Sequence, residues 1–140
     1  MPLPAPPTFY QQQMDQLRTT VYPPPEQVAR VRRAKQFMER QFSERILLDA
    51  LCREAFLSKF HFLRLFKRLY GQTPYQYLTS VRIQQAKLRL RQGQPARAVC
   101  FAVGFDSVGS FTTLFRKMTG TTPGTFQRRH AQKSNFQERS

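Results

Sequence analysis

An all-α fold, in which two similar bihelical units flank a long connecting helix, is what this sequence predicts. Three observations carry the prediction. Apolar residues recur at helical spacing from Glu26 to about His130, and no stretch shows convincing strand alternation. The chain also repeats itself. Shifted by 49, Ser58 falls on Ser107, Phe62 on Phe111, Leu65 on Leu114, Phe66 on Phe115, Gly71 on Gly120, Thr73-Pro74 on Thr122-Pro123 and Tyr77 on Phe126. Upstream, Ala50-Leu51-Cys52 matches Ala98-Val99-Cys100 at a shift of 48. The later copy therefore has one extra residue between its short and its long helix, where a turn tolerates added length.

Residues 1–25 hold seven of the ten prolines and many glutamines. They read as a flexible tail with a short helical tendency around Gln11 to Leu17. Pro23 to Pro25 form a stiff stop, and Glu26 opens a helix with an acid suited to the helix dipole. Val28, Val31, Phe37, Met38 and Phe42 supply its buried stripe. The first unit is expected over about 46–70, the connecting helix over 74–92, the second unit over 95–119 and a closing helix over 122–130. These lie in one domain, 26–130, followed by a tail, 131–140. Gly71 and Gly120 are placed to end helices, and Pro74 and Pro123 to begin them. The second long helix carries a stripe of Phe111, Leu114, Phe115 and Met118, while its other face (Val108, Gly109, Thr112, Thr113) is nearly bare.

Charge narrows the partner. Lys and Arg number 23 against 8 Asp and Glu, a net charge of +15, and no acid stands between Glu54 and Asp106. So lopsided a balance in a short chain points to a polyanion. No apolar run reaches the length of a membrane span, and Met1 to Pro7 lacks the charged start and apolar core of a secretory signal. The apolar stripes are consumed by the core, which argues against a membrane-surface role. Cys52 and Cys100 fit neither a disulfide framework nor a metal site, so a reducing, cytoplasmic setting is expected. They suit the small, buried position where two helices meet, as inert packing and not as reactive thiols.

A short helix turning into a longer one, duplicated in a basic chain, reads as a pair of helix-turn-helix units. In such units the second helix presents its outer face to the major groove. The connecting helix spans roughly 28 Å at the helical rise, against about 34 Å between successive major-groove faces. One chain, bound as a monomer, can then place two reading helices in consecutive grooves, over an asymmetric site. In the first copy Lys59, Phe60, His61, Arg64, Lys67 and Arg68 point away from the stripe. Arg64, mid-face, suits the O6 and N7 edge of guanine, while Lys67 and Arg68 suit phosphates. The second copy offers Val108, Gly109, Ser110, Thr113, Arg116 and Lys117. Its small residues permit close approach, and its methyls can touch thymine.

The segments "SKFHFLRLFKRLYGQTPYQYL" (58–78), "VRIQQAK" (81–87) and "AVGFDSVGSFTTLFRKMTGTTPGTFQRR" (102–129) resemble the DNA-binding region of the AraC/XylS family of bacterial transcription regulators. The likeness covers about Val28 to His130, and its most specific part is the paired F-[KR]-[KR]-x-x-G-x-T-P block. It implies a homeodomain-like, all-helical region that binds promoter DNA and usually activates transcription, with RNA polymerase as a partner. Carried over, the base-reading positions fall on Phe60 and Arg64 in the first unit and on Val108, Gly109 and Thr113 in the second. Backbone-contacting positions fall on Lys59, His61, Lys67, Arg116 and Lys117, and Ser58, Arg68, Ser107, Ser110 and Thr112 complete that set.

Three departures stand out. No glycine occupies the first turn near Phe56. Arg89 replaces a second leucine of the connecting helix, its stem expected along apolar surface with the charge exposed. Only some 25 residues precede the domain, too few for a pocketed effector fold, so a stand-alone regulator and a piece of a longer chain stay open. Some DNA-repair proteins join a similar domain to an alkyl-accepting cysteine, but neither cysteine here has the position for it. No catalytic residue, metal or cofactor is expected. The competing reading is a non-catalytic basic helical module that binds RNA or a protein partner.

Overall fold

The punctuation between helices is the same in both units, and it sets where each long helix begins and ends. The computed structural model describes residues 8–13 and 23–138, with side chains as far as residue 131. The tail assigned to 1–25 lies mostly outside the described residues; within it, residues 9–13 are helical (α1). Seven further helices follow: α2 (Pro25–Arg40), α3 (Leu48–Ala55), α4 (Lys59–Tyr70), α5 (Pro74–Arg91), α6 (Ala96–Ala102), α7 (Val108–Thr119) and α8 (Pro123–Glu138). Among the described residues there is no strand.

Two helix ends depart from expectation. Pro25, and not Glu26, opens α2, because a proline at the first helical position loses no hydrogen bond. Helix α8 continues past His130 to Glu138. The apolar period stops near 130, but no proline or glycine follows Gly124, so nothing breaks the backbone ladder.

Each short helix ends in the same double hydrogen bond. In the first unit the Phe56 N–H donates to the Arg53 carbonyl and the Leu57 N–H to that of Cys52. In the second, Gly104 donates to Phe101 and Phe105 to Cys100, at the expected shift of 48. This is the helix-ending motif that needs a left-handed residue at its centre. Gly104 takes that role with φ 103°, and Phe56 takes it with φ 53° despite its side chain. The missing glycine thus leaves the turn intact. The Arg33 guanidinium sits 5.6 Å from the Phe56 ring centre, and Arg30 donates to the Phe56 carbonyl at 3.4 Å. Asp106 is the extra residue of the second turn. Gly71 and Gly120, also left-handed, close α4 and α7. Thr73 and Gln76 then form a reciprocal capping box that starts α5.

The two central glycine-type positions should respond differently to substitution. A methyl at Gly104 would stand 2.9 Å from Arg82 Nε and 3.0 Å from the carbonyl oxygens of Phe42 and Ser43. Left-handed strain of about 1–2 kcal/mol adds to an overpacking cost of about 1–3 kcal/mol. Gly104→Ala is therefore expected to lower stability by about 2–4 kcal/mol. Phe56→Gly relieves strain but loses the Arg33 contact and loosens the unfolded chain, so its net change is expected within about 1 kcal/mol. Urea midpoints at unchanged m-value measure both.

Two cores lie on either side of α5. The first joins Val31, Ala34 and Met38 of α2 to Leu51, Ala55, Phe62, Leu65, Phe66 and Leu78. The second joins Ile83, Ala86 and Leu90 to Val99, Cys100, Val103, Phe105, Phe111 and Phe115. Val28, Phe37 and Phe42, expected in the buried stripe of α2, are only half-buried; Phe42 lies beyond the end of the helix, and Ala34 takes a core position. Met118 also departs from its stripe, with 42% of its surface exposed. Its repeat partner Leu69 packs against the first core, which α2 covers. In the second unit α5 takes the place of α2, with Ile83, Ala86 and Leu90 at the spacing of Val31, Ala34 and Met38, and Phe126 of α8 packs against the same core. Tyr77, the partner of Phe126 in the repeat, turns its added hydroxyl to Glu39, which also accepts from Lys35 at 2.9 Å. Those two bonds hold the Glu39 carboxyl below the ordinary carboxylate range, the Tyr77 bond foremost.

Candidate nucleic-acid interface

The exposed face of α4 follows from its cap and its stripe. Ser58 accepts from the His61 N–H at 3.4 Å, which starts the helix at Lys59. Burying Phe62, Leu65 and Phe66 turns Lys59, Phe60, His61, Arg64, Lys67 and Arg68 outward, and all six are exposed. Phe60 is 80% exposed, although it is as apolar as the fully buried Phe66 on the same helix. Leaving such a ring in water forgoes burial worth about 1.5–3 kcal/mol.

Helix α7 repeats the arrangement with different chemistry. Ser107 accepts from the Ser110 N–H at 3.2 Å, and the two hydroxyls lie 3.0 Å apart. Val108, Gly109, Ser110, Thr113, Arg116 and Lys117 are exposed, whereas Thr112 is half-buried on the flank of the helix. Gly109 has no internal reason to be glycine. Its φ is ordinary, and a Cβ there would meet nothing within 4 Å. A helical glycine costs roughly 0.5–1 kcal/mol against alanine.

No acid lies on either long helix. Among the described residues the ion pairs are Arg30–Glu26 and Lys35–Glu39, both on α2. The cations of α4 and α7 are thus without acidic partners, a state suited to an external polyanion. Next to them, Pro23, Pro24 and Gln27 at the start of α2 form a cleft with His61, Arg64, Leu65 and Arg68.

The joint between the units uses residues whose part was not legible in the chain. Arg82 of α5 donates through Nε to the Phe42 carbonyl at 2.7 Å and through Nη2 to that of Glu44 at 2.9 Å. Burial, foremost, lowers the pKa of its guanidinium. Arg89 lies over the Phe42 ring at 5.8 Å, and its Nη1 is buried without a protein partner. One nitrogen of its guanidinium is therefore out of water beside the Phe42 ring, where its place in the sequence led one to expect an exposed charge.

Cys100 is fully buried and its thiol lies 3.4 Å from the Ser107 carbonyl; Cys52 is half-buried. Burial, foremost, pushes both thiols up, away from the thiolate form. Among the described residues no cluster of three or more metal-ligating side chains occurs, and no helix is long and apolar enough to cross a membrane.

This architecture has relatives. The model of a helix-turn-helix domain family matches residues 51–129. The chain is 33% identical over 93 residues to the bifunctional transcriptional activator/DNA repair enzyme AdaA of Bacillus subtilis, covering 66% of this chain and 44% of AdaA. It is 33% identical over 94 residues to the MmsAB operon regulatory protein of Pseudomonas aeruginosa, covering 66% of this chain and 31% of that protein. Against the transposon Tn10 TetD protein of Escherichia coli the identity is 30% over 93 residues, covering 66% and 67%. The match thus spans less than half the length of AdaA and of the MmsAB regulator. A transcriptional regulator of the AraC type from Chromobacterium violaceum superposes with a TM-score of 0.69 at 26% identity, over 74% of this chain and 94% of that one. The DNA-binding domain of AdpA, solved with a target DNA, shares the fold with a TM-score of 0.70 at 23% identity, over 74% of this chain and 94% of that one. The chain belongs to the AraC/XylS family of helix-turn-helix transcription regulators and carries the family's DNA-binding region.

Proposed function

We propose that this chain binds promoter duplex as a monomer, sets α4 and α7 into two successive major grooves, and activates transcription through contact with RNA polymerase in the cytoplasm. The supporting observation is the pair of equivalent capped helices whose outer faces are exposed and free of acid. Arg64 and Phe60 read bases in one groove; Val108, Gly109 and Thr113 follow the base edges of the other. Ser58, Lys59, His61, Lys67 and Arg68 hold the backbone beside α4. Ser107, Ser110, Thr112, Arg116 and Lys117 hold it beside α7. The protein performs no catalysis and takes no cofactor. AdaA is described as a transcriptional activator, and that supports the sign of regulation proposed here.

Selection of bound duplexes from a random pool tests the reading. The expected result is an asymmetric site with two halves about one helical turn apart. A palindrome, or preference confined to one groove, overturns it; stronger binding to single-stranded RNA than to duplex favours the RNA-binding alternative. Affinity should fall with salt at a log–log slope equivalent to roughly 5–10 phosphate contacts, and a flat dependence removes the electrostatic basis.

Gly109 gives a sharper measure, because fold and function should respond in opposite directions. Gly109→Ala is expected to raise stability by about 0.5–1 kcal/mol while weakening duplex binding, since the added methyl meets only the approaching DNA. Binding that improves along with stability would remove Gly109 from the interface.

A further inference from the structure

At one point in the molecule both units and the connecting helix meet. Phe42, in the loop after α2, packs against both cores, and it is half-buried between them. Arg82 of α5 donates to the Phe42 and Glu44 carbonyls of that loop, and its guanidinium lies 6.0 Å from the ring centre of Phe105 in the second unit. Gly104 brings the turn of the second unit against the Phe42 and Ser43 carbonyls of that loop, so closely that a Cβ would stand 3.0 Å from each. Two turns along α5, Arg89 lies over the other side of the joint, on Phe42.

A continuous helix alone does not fix how two units sit around it. Each unit could rock about α5 while its own core stayed packed. The contacts at Phe42 oppose such rocking because they tie the loop of the first unit, the turn of the second and the shared helix through one planar guanidinium. Arg offers two donors in a fixed fork, so it sets an angle as well as a distance. Hydrogen bonds from a charged donor are stronger than those between neutral groups, which suits them to bias a hinge.

We propose that Arg82, seated on the Phe42 and Glu44 carbonyls, is a positioning residue that locks the separation and rotation of α4 relative to α7, so that the protein reads the spacing between the two halves of its site. Arg82 touches no base. It acts through the joint, and this inference rests on the two-groove reading above.

One inserted base pair turns the second half-site by about 35° and moves it by about 3.4 Å. A locked pair of helices cannot follow that change, whereas a loose pair can. The experiment uses the full chain, the duplex from random-pool selection, and duplexes with one base pair inserted or deleted between the halves. Wild type is expected to lose roughly tenfold or more in affinity for either altered spacing, comparable to a mismatched base pair. In Arg82→Gln that penalty is expected to shrink to about threefold or less, with an intermediate penalty in Arg82→Lys, which keeps the charge but not the fork. Phe126→Leu serves as a destabilised control, trimmed in the second core away from the joint, and it should keep the wild-type penalty. Should Arg82→Gln not fold, Arg82→Lys carries the test alone. A penalty unchanged in a folded Arg82 variant, or a wild type indifferent to spacing, overturns the proposal. Footprints protecting a single groove would instead overturn the two-groove reading, so the two failures are distinct.

Discussion

Arg64→Ala is expected to weaken binding to the preferred site by about 1–3 kcal/mol and to relax base preference at the position it reads. The side chain stands in the middle of the exposed face of α4, and no acid competes for its guanidinium among the described residues. A bidentate contact to guanine is worth this much because the wrong base leaves two donors unpaired in the groove. Lys67→Ala should behave differently, with similar losses on all sequences and a salt slope smaller by about 1. Thr113→Ala should cost less than Arg64→Ala, since one methyl and one hydroxyl discriminate weakly. Competition titrations against a panel of single-base variants separate these outcomes. Equal losses for Arg64→Ala on every sequence would reassign it to the backbone, and a larger effect at Thr113 would reverse the ranking of the two units.

Two phenylalanines on α4 should give opposite results. Phe66 is fully buried and touches the rings of Phe62, Tyr70 and Tyr77. Phe66→Ala is therefore expected to cost about 3–5 kcal/mol of stability, from lost transfer energy and the cavity left behind. That is a large part of the total for a domain this small, and thermal melts should show it as a drop of many degrees. Phe60 is exposed, so Phe60→Ala should stay within about 0.5 kcal/mol in stability. Its effect should appear in duplex binding, where the ring meets bases or sugar. Unchanged affinity would take Phe60 out of the interface, and a loss of stability would show that its ring packs within the fold.

Much of this was legible in the chain. The repeat marks both bihelical units, because their boundaries use residues whose backbone preferences act locally: Pro74 and Pro123 as helix starts, Gly71 and Gly120 as helix stops. The outward faces of α4 and α7 follow from helical period alone once Phe62 and Phe111 are assigned inward. Composition alone shows a basic chain, since charge is counted and not folded.

Other features depended on contacts between segments far apart in sequence. Phe56 adopts a glycine-like conformation because tertiary packing, with Arg30 and Arg33 of α2 beside it, outweighs a local strain of about 1–2 kcal/mol. Met118 leaves its stripe while its repeat partner Leu69 packs against the first core, a difference that helical period alone does not carry because both positions have the same spacing. The sequence gives Arg82 no part of its own, and it leaves the charge of Arg89 exposed at the end of an apolar stem. Their partners are a backbone oxygen and a ring some forty residues away, and a carbonyl has no letter of its own. Local rules thus determined the helices, their caps and their apolar faces, because those depend on neighbours within a turn or two. The angle between the two units was decided only by the folded chain, where Phe42, Arg82 and Gly104 come into contact.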